Sequence, residues 1–316
     1  MFYSIRHVTK FVYDSPISES LMEARVQPRS DASQRCLQFR LTTTPMSRVL
    51  MYLDHDGNAV HHFAVPGRHA RLTVTTEALV ECGPAPLVPF DLGRGSWDRL
   101  DALTASGEFW ELQNPSTFAR PSERLADFAK AINWSRGADP LATVRRLNME
   151  IYDRFEYRPQ STRVDSPIDE ALEARSGVCQ DFAHIMIALV RQIGIPCRYV
   201  SGYLFHHERG DRSSIGATHA WVEALLPDIG WVGFDPTNNR LAEDRHIRVA
   251  IGRDYSDVPP TKGVFKGVSS VRSELAVAVK VGPVGVSAND PLPFVPWMSR
   301  DADGTTISPP SSNQQQ

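Results

Sequence analysis

Cysteine is scarce in this chain: four in 316 residues, Cys36, Cys82, Cys179 and Cys197. That is too sparse for a disulfide framework, and no two of them have zinc-ribbon spacing. The expectation is free thiols in a reducing, cytoplasmic compartment. HExxH is absent too, so no metal and no other cofactor is expected. An excess of one charge is also missing: 34 basic against 37 acidic side chains leave a net charge of -3. The basic residues are scattered, which argues against nucleic acid or an anionic membrane as the partner. No apolar run reaches the roughly 18 residues of a membrane span. At the N-terminus, "MFYSIRHVTKFVYDSP" is interrupted by Arg6, His7 and Lys10, so it does not read as a signal peptide.

The residues that are present suit a folded protein with a sizeable core, 41% of them being apolar. Residues 1–82 read as all-β. In "VLMYLDHDGNAVHHFAV", Asp56 and Gly57 supply a hairpin turn between strand-forming runs, and "ARLTVTTEALVEC" alternates apolar and polar residues. "DHDGN" resembles the start of a calcium loop but lacks the downstream ligands. "CGPAPLVPFDLGRG" is rich in Pro and Gly and marks a linker or a segment crossing between domains. From about residue 121 the period becomes helical. Ser122 opens one helix, and "DPLATVRRLNMEIYDRFEY" forms another with Leu141, Val144, Leu147, Ile151 and Phe155 on one stripe. Strands follow in "CRYVSGYLF", "HAWVEALL", "GWVGFDP" and "SELAVAVKV", and the tail "DADGTTISPPSSNQQQ" has a disordered composition. The fold class expected is α+β: a β domain, then a domain of helices and strands.

Within "SGVCQDFAHIMIALVRQIGIPCRY", Phe182, Ile185, Met186, Leu189, Val190 and Ile193 recur at helical spacing. Gly194 and Pro196 stop that helix. Cys179 therefore sits in its first turn, where unpaired N–H groups and the helix dipole favour an anion. It is either a small core residue or a thiolate placed to attack a carbonyl, with the same N–H groups ready to receive the oxyanion. Cys197 lacks any such helix end and reads as core.

A nucleophile needs a base and a group to orient that base. "ATHAWVEALLPDIGWVGFDPTNN" reads as two strands joined by a Pro/Asp/Gly turn. Taking Leu226 to Asp228 as the loop puts His219 directly across from Asp235, within hydrogen-bonding reach. Ala220, Val222, Ala224, Val232 and Phe234 then share the opposite, core-directed face. Asp235 would orient His219, and His219 would hold Cys179 as the thiolate and later protonate the leaving amine.

Taken in order, "GVCQDFAHIMIALVRQIGIPCRYVSGYL", "THAWVEALLPDIGWVGFDPTNN" and "AIGRDYSDVPPTKGVF" resemble successive blocks of the bacterial transglutaminase-like family. The similarity spans about residues 121–266. "YDSPISESLMEARVQPRS" and "DHDGNAVHHFAV" resemble that family's N-terminal β region. The resemblance implies an N-terminal β domain (1–82), a linker or crossing segment (83–120) and a transglutaminase-like, papain-like catalytic core (121–285). In that core the nucleophile sits at a helix N-terminus packed on an antiparallel sheet, and a tail (286–316) follows. It implies Cys179, His219 and Asp235 as nucleophile, base and orienter.

Other residues are weighed beside these. Gln180, Tyr203 and Trp221 are candidates for substrate binding or the oxyanion site; Tyr203 reads equally as a strand end and Trp221 as core cover. Asp181 suits the helix start. His184 lies about 140° round the helix from the sulfur and is not the base. The segment 253–263 is a candidate cover for the cleft. The chemistry implied is acyl transfer from a carboxamide through a thioester, on a protein or peptide bearing Gln or another amide donor. An acceptor amine makes the reaction a transglutamination; water makes it hydrolysis by a peptidase or amidase. A non-catalytic peptide-binding module is the alternative of a different class.

Overall fold

A computed structural model describes residues 1–85, 87–206, 210–268 and 271–285. Among these the chain runs β1 (Phe2–Ala24), β2 (Gln34–Thr44), β3 (Val49–Leu53), β4 (Ala59–Cys82), α1 (Ser96–Thr104), α2 (Trp110–Gln113), α3 (Glu123–Ala131), α4 (Pro140–Arg154), β5 (Glu156–Tyr157), α5 (Ile168–Ala174), β6 (Ser176–Gly177), α6 (Cys179–Gln192), β7 (Cys197–Leu204), β8 (His219–Leu226), β9 (Gly230–Asp235), β10 (Arg240–Leu241), β11 (His246–Gly252), β12 (Thr261–Lys266) and β13 (Ser273–Pro283). The fold is α+β, as expected. The expected tail, 286–316, lies outside the described residues.

The first sheet is built on two very long strands, β1 and β4, paired antiparallel with β2 and β3 alongside β4. The hairpin reading of β3 and β4 holds, with Gly57 at φ 73 in the left-handed conformation its turn needs. The sheet is not confined to residues 1–82. β12 and β13 also pair with β1, β13 along its first half, from Tyr3↔Pro283 to Tyr13↔Ser273. "SELAVAVKV" therefore completes the N-terminal sheet, whose apolar face needed a partner strand that local periodicity could not assign. Nor is 83–120 simply a linker: it contains α1 and α2, and Leu100 of α1 is fully buried.

One continuous apolar core joins the two parts, running from Tyr3, Ile5 and Val80 through Leu147 and Phe182 to Val222 and Phe234. Ser122 and Asp139 cap α3 and α4 by accepting from Leu125 N and Ala142 N, as side chains at such positions do. The expected stripe of α4 is buried throughout, and Phe128 of α3 meets Phe155 edge-on. α6 goes further: every residue from Cys179 to Arg191 is buried, making it a central helix with no polar face. Arg191 inside it remains satisfied by donating to Leu112 O, Asn114 O, Ser116 Oγ, Cys197 O and Arg253 O.

The second sheet has the order β10-β9-β8-β7-β11 and is antiparallel throughout. α6 packs on its Cys197, Tyr199, Val222 and Phe234 face. Two amide side chains from the first sheet dock on the edge strand β11. Gln34 donates to Arg248 O and accepts from Arg248 N; Asn58 does the same with Ile251. An otherwise bare strand edge is thereby covered.

Candidate active site

Cys179 is placed by a short parallel pairing that ends where α6 begins. Tyr157 pairs with Gly177, Val178 is extended, and the helix starts at the next residue. Asp181 Oδ2 accepts from Val178 N at 2.8 Å and from Thr162 Oγ1 at 2.6 Å, fixing the first turn. Gly177 is required by space: a Cβ there would stand 2.8 Å from Asp181 Oδ2 and 3.2 Å from the Phe182 ring. Burial pushes the Asp181 carboxyl up to about 6, against the pull of its two donors.

His219 opens β8 and Asp235 closes β9. His219 Nε2 lies 2.8 Å from Asp235 Oδ2, and both residues are buried. The expected register is off by two residues. Val222 pairs with Phe234 and Leu226 with Gly230, so the loop is 227–229 and the contact is diagonal. Asp228 at φ 69 and Gly230 at φ 75 set this turn. A two-residue slip keeps every side chain on its face, and diagonal neighbours are within reach of long side chains, which is why the pair still meets.

Asp235 is held on all sides. Its Oδ2 also takes His246 Nε2 at 3.1 Å and Asn238 Nδ2 at 2.7 Å, while Oδ1 accepts from Thr237 N and Asn238 N. Burial alone would raise its pKa, but His219 and His246 hold the carboxylate well below the usual range. Burial opposes protonation of His219 as well. The Asp235 charge and hydrogen bond, aided by the hydrogen bond and charge of Cys179, outweigh it and raise His219 to about 10. His219 Nδ1 has no fully formed hydrogen bond among the described residues and is the ring atom left for the sulfur. Burial pushes Cys36, Cys82 and Cys197 each up to about 11.

Residues 3–81 match the bacterial transglutaminase-like N-terminal region, and residues 128–236 match the transglutaminase-like superfamily. An uncharacterized protein of Mycobacterium leprae is 35% identical over 277 residues, 86% of this chain and 96% of that one. The chain belongs to the transglutaminase-like superfamily. An uncharacterized protein of Mycobacterium tuberculosis is 33% identical over 304 residues, covering 89% and 92% of the two chains. A protein-glutamine gamma-glutamyltransferase of Pseudomonas aeruginosa is 31% identical over 170 residues, half of this chain but 25% of that protein. Among solved structures, a candidate cysteine protease from Cytophaga hutchinsonii shares the fold, with a TM-score of 0.63 at 20% identity, over 91% and 95% of the chains.

In this transglutaminase-like core the remaining expectations divide. Gln180 is buried, its Nε2 donating to Val164 O at 2.8 Å, so its amide anchors a neighbouring loop; Oε1 has no partner among the described residues. Trp221 is fully buried behind the dyad, 6.1 Å from the His219 ring and 5.3 Å from that of His246. It supports these rings and lines the cavity of about 190 Å³ beside His246. Tyr203 requires a correction. Its hydroxyl donates to Val26 O at 3.1 Å and lies 2.9 Å from His7 Nδ1, so it seals the contact with the first sheet and is not at the cleft. The GYL segment is a strand whose side chains alternate, so Tyr203 shares the face of Cys197 and Tyr199, and at this end of β7 it meets His7 of β1.

The segment from residue 253 is not a cleft cover either. Asp254 accepts from Phe118 N, Tyr255 N donates to His184 Nε2, and Val258 is fully buried, so the segment is packed into the core. His184 itself stacks on Phe118, consistent with its exclusion as the base. Two residues escaped notice in the sequence. His246 is one; only its distant return along β11 brings it to Asp235. Tyr157 is the other. Its hydroxyl donates to Ser214 Oγ and accepts from Ser214 N, and burial with the Cys179 charge pushes it up to about 12. Tyr157 also lines a cleft of about 600 Å³ with Tyr152, Phe155, Arg175 and Arg212. His219, Asp235 and His246 offer three potential metal ligand atoms within 4.8 Å of one another, but here Asp235 Oδ2 is the shared acceptor of both rings.

Proposed function

We propose that the protein carries out cysteine-dependent acyl transfer on carboxamides, with Cys179 as nucleophile, His219 as proton carrier and Asp235 as its orienter. The reading rests on one observation above all: His219 Nε2 lies 2.8 Å from Oδ2 of Asp235, whose carboxyl is held well below the usual range, leaving Nδ1 for the residue that starts α6. A protonated imidazole there stabilises a thiolate, and the open N-terminus of α6 favours the same charge. The sulfur adds to the amide carbon, and the carbonyl oxygen becomes an oxyanion facing the Cys179 N–H. His219 gives its Nδ1 proton to the nitrogen as the C–N bond breaks, releasing ammonia or an amine and leaving a thioester. An acceptor amine then loses a proton to His219 as it attacks, and the thiolate departs. The gamma-glutamyltransferase of Pseudomonas aeruginosa favours a glutamine side chain of a protein or peptide as the donor.

Water in place of the amine would hydrolyse the same thioester, giving a peptidase or deamidase. The test is mass spectrometry of Gln-containing peptides incubated with a labelled primary amine and either wild-type protein or Cys179→Ala. Amine incorporation by wild type alone supports the reading, while deamidation or backbone cleavage assigns water as acceptor. No modification by wild type, together with Cys179 alkylating no faster than Cys36, would leave a peptide-binding module instead.

A further inference from the structure

We propose that His246 is a fourth, positioning member of this site, a neutral hydrogen-bond donor that sets how tightly Asp235 holds the His219 proton. The inference rests on the roles just given to Cys179, His219 and Asp235.

The backbone fixes which ring nitrogen of His246 carries the proton. Glu243 N donates to His246 Nδ1 at 3.2 Å, so Nδ1 is an acceptor. The proton of the neutral ring is therefore on Nε2, 3.1 Å from Asp235 Oδ2. That oxygen already receives His219 and Asn238, so three donors converge on it. The groups facing His246 are Asp235, the His219 ring at 6.1 Å, Trp221 and the nearby charge of Arg245. A cavity of about 190 Å³ behind it adds Glu223, Glu243, Asp244 and Arg248. Burial, with His219 and Arg245, outweighs the attraction of Asp235 and keeps His246 neutral. A second imidazolium would compete with His219 for the one carboxylate; a neutral donor does not.

This arrangement has a chemical consequence. Each donor on a carboxylate oxygen draws off charge and weakens its hold on the others. His219 must release its proton to the leaving amine, so too basic an Asp235 would slow that step. His246 moderates Asp235 and keeps its plane aligned with the His219 ring.

The first arm of the test needs no substrate. Titration of histidine-labelled protein by ¹⁵N NMR reads His219 directly and the tautomer of His246 as well. In wild type, His246 is expected neutral with its proton on Nε2. In His246→Phe the His219 midpoint is expected to rise by about half a unit or more. In His246→Gln, whose amide can both donate to Asp235 and accept from Glu243, it returns toward wild type. Amine transfer is expected to lose about tenfold in kcat in the Phe variant with little change in KM, and to recover in the Gln variant. A purely structural role would lower the Tm of both variants and leave the His219 midpoint unmoved. Should His246→Phe not fold, the wild-type spectrum still decides: a proton on Nδ1, or a charged His246 at neutral pH, overturns the inference. An unmoved midpoint in a folded Phe variant also overturns it while leaving the acyl-transfer reading standing. Slow alkylation of wild-type Cys179 sinks that parent reading instead.

Discussion

Replacing Asp235 by Asn removes the charge that the site is built around while keeping nearly the same volume. Three donors converge on Oδ2 and two backbone N–H groups on Oδ1. Whichever way the amide is turned, its NH₂ meets donors. The ordinary His pKa of 6.5 is raised to about 10 in the fold. At 1.36 kcal/mol per unit, that difference corresponds to roughly 5 kcal/mol favouring the imidazolium. Without the carboxylate, burial dominates and drives His219 below its ordinary value, so the ring is mostly neutral at pH 7. Alkylation of Cys179 by iodoacetamide, followed peptide by peptide, is then expected to slow by about tenfold or more at neutral pH, with Cys36 labelling unchanged. Stability changes in a defined window. A raised His pKa stabilises the fold fully below about pH 6.5, and that stabilisation is lost as pH climbs through about 10. The depressed Asp235 contributes above about pH 4 and is lost on acidification. The gap in Tm between wild type and Asp235→Asn should thus be widest between about pH 4 and pH 6.5 and narrow on the alkaline side. A variant that labels at the wild-type rate, or a gap that grows toward pH 10, would refute the reasoning.

Other perturbations probe the supports of the site. Gly177→Ala drives a methyl into Asp181 and Phe182, and should cost about 1–3 kcal/mol in urea unfolding while slowing Cys179 alkylation. Arg191→Met leaves five acceptors around α6, one of them fully buried, without their donor and should destabilise by about 1–3 kcal/mol, read by the same unfolding curve. Asp181 has its pKa raised to about 6, so its ionisation penalises the fold increasingly from the ordinary carboxylate value up to about pH 6. Asp181→Asn, whose amide oxygen can still accept from Val178 N and Thr162, should gain on wild type in Tm over that interval and then run parallel to it.

Much of the site was legible because its signals are local. The period of α6, its stop at Gly194 and its start at Cys179 lie within one short stretch, so the cysteine's place at a helix end follows from spacing. The face alternation of β8 and β9 put His219 and Asp235 on one side of the sheet even with the register two residues out. Tyr203 was not legible in the same way. Alternation puts Tyr203 on the same face of β7 as Tyr199, and only the position of β1 decides what covers that end of the face. His246 and Tyr157 gave no signal, because each reaches the site from a separate segment whose local pattern is an ordinary strand or helix end.

The sequence by itself determined the local devices: caps at Ser122 and Asp139, the turn at Gly57, the buried helix that begins at Cys179, and the polar residues at the ends of β8 and β9. Those follow from backbone conformation and from hydrophobic periods, which act over a few residues. Tertiary structure alone decided that β13 returns to complete the first sheet, that Tyr203 faces His7, and that His246 shares the Asp235 oxygen. Such contacts join residues far apart in the chain, and only closure of the common core brings them together.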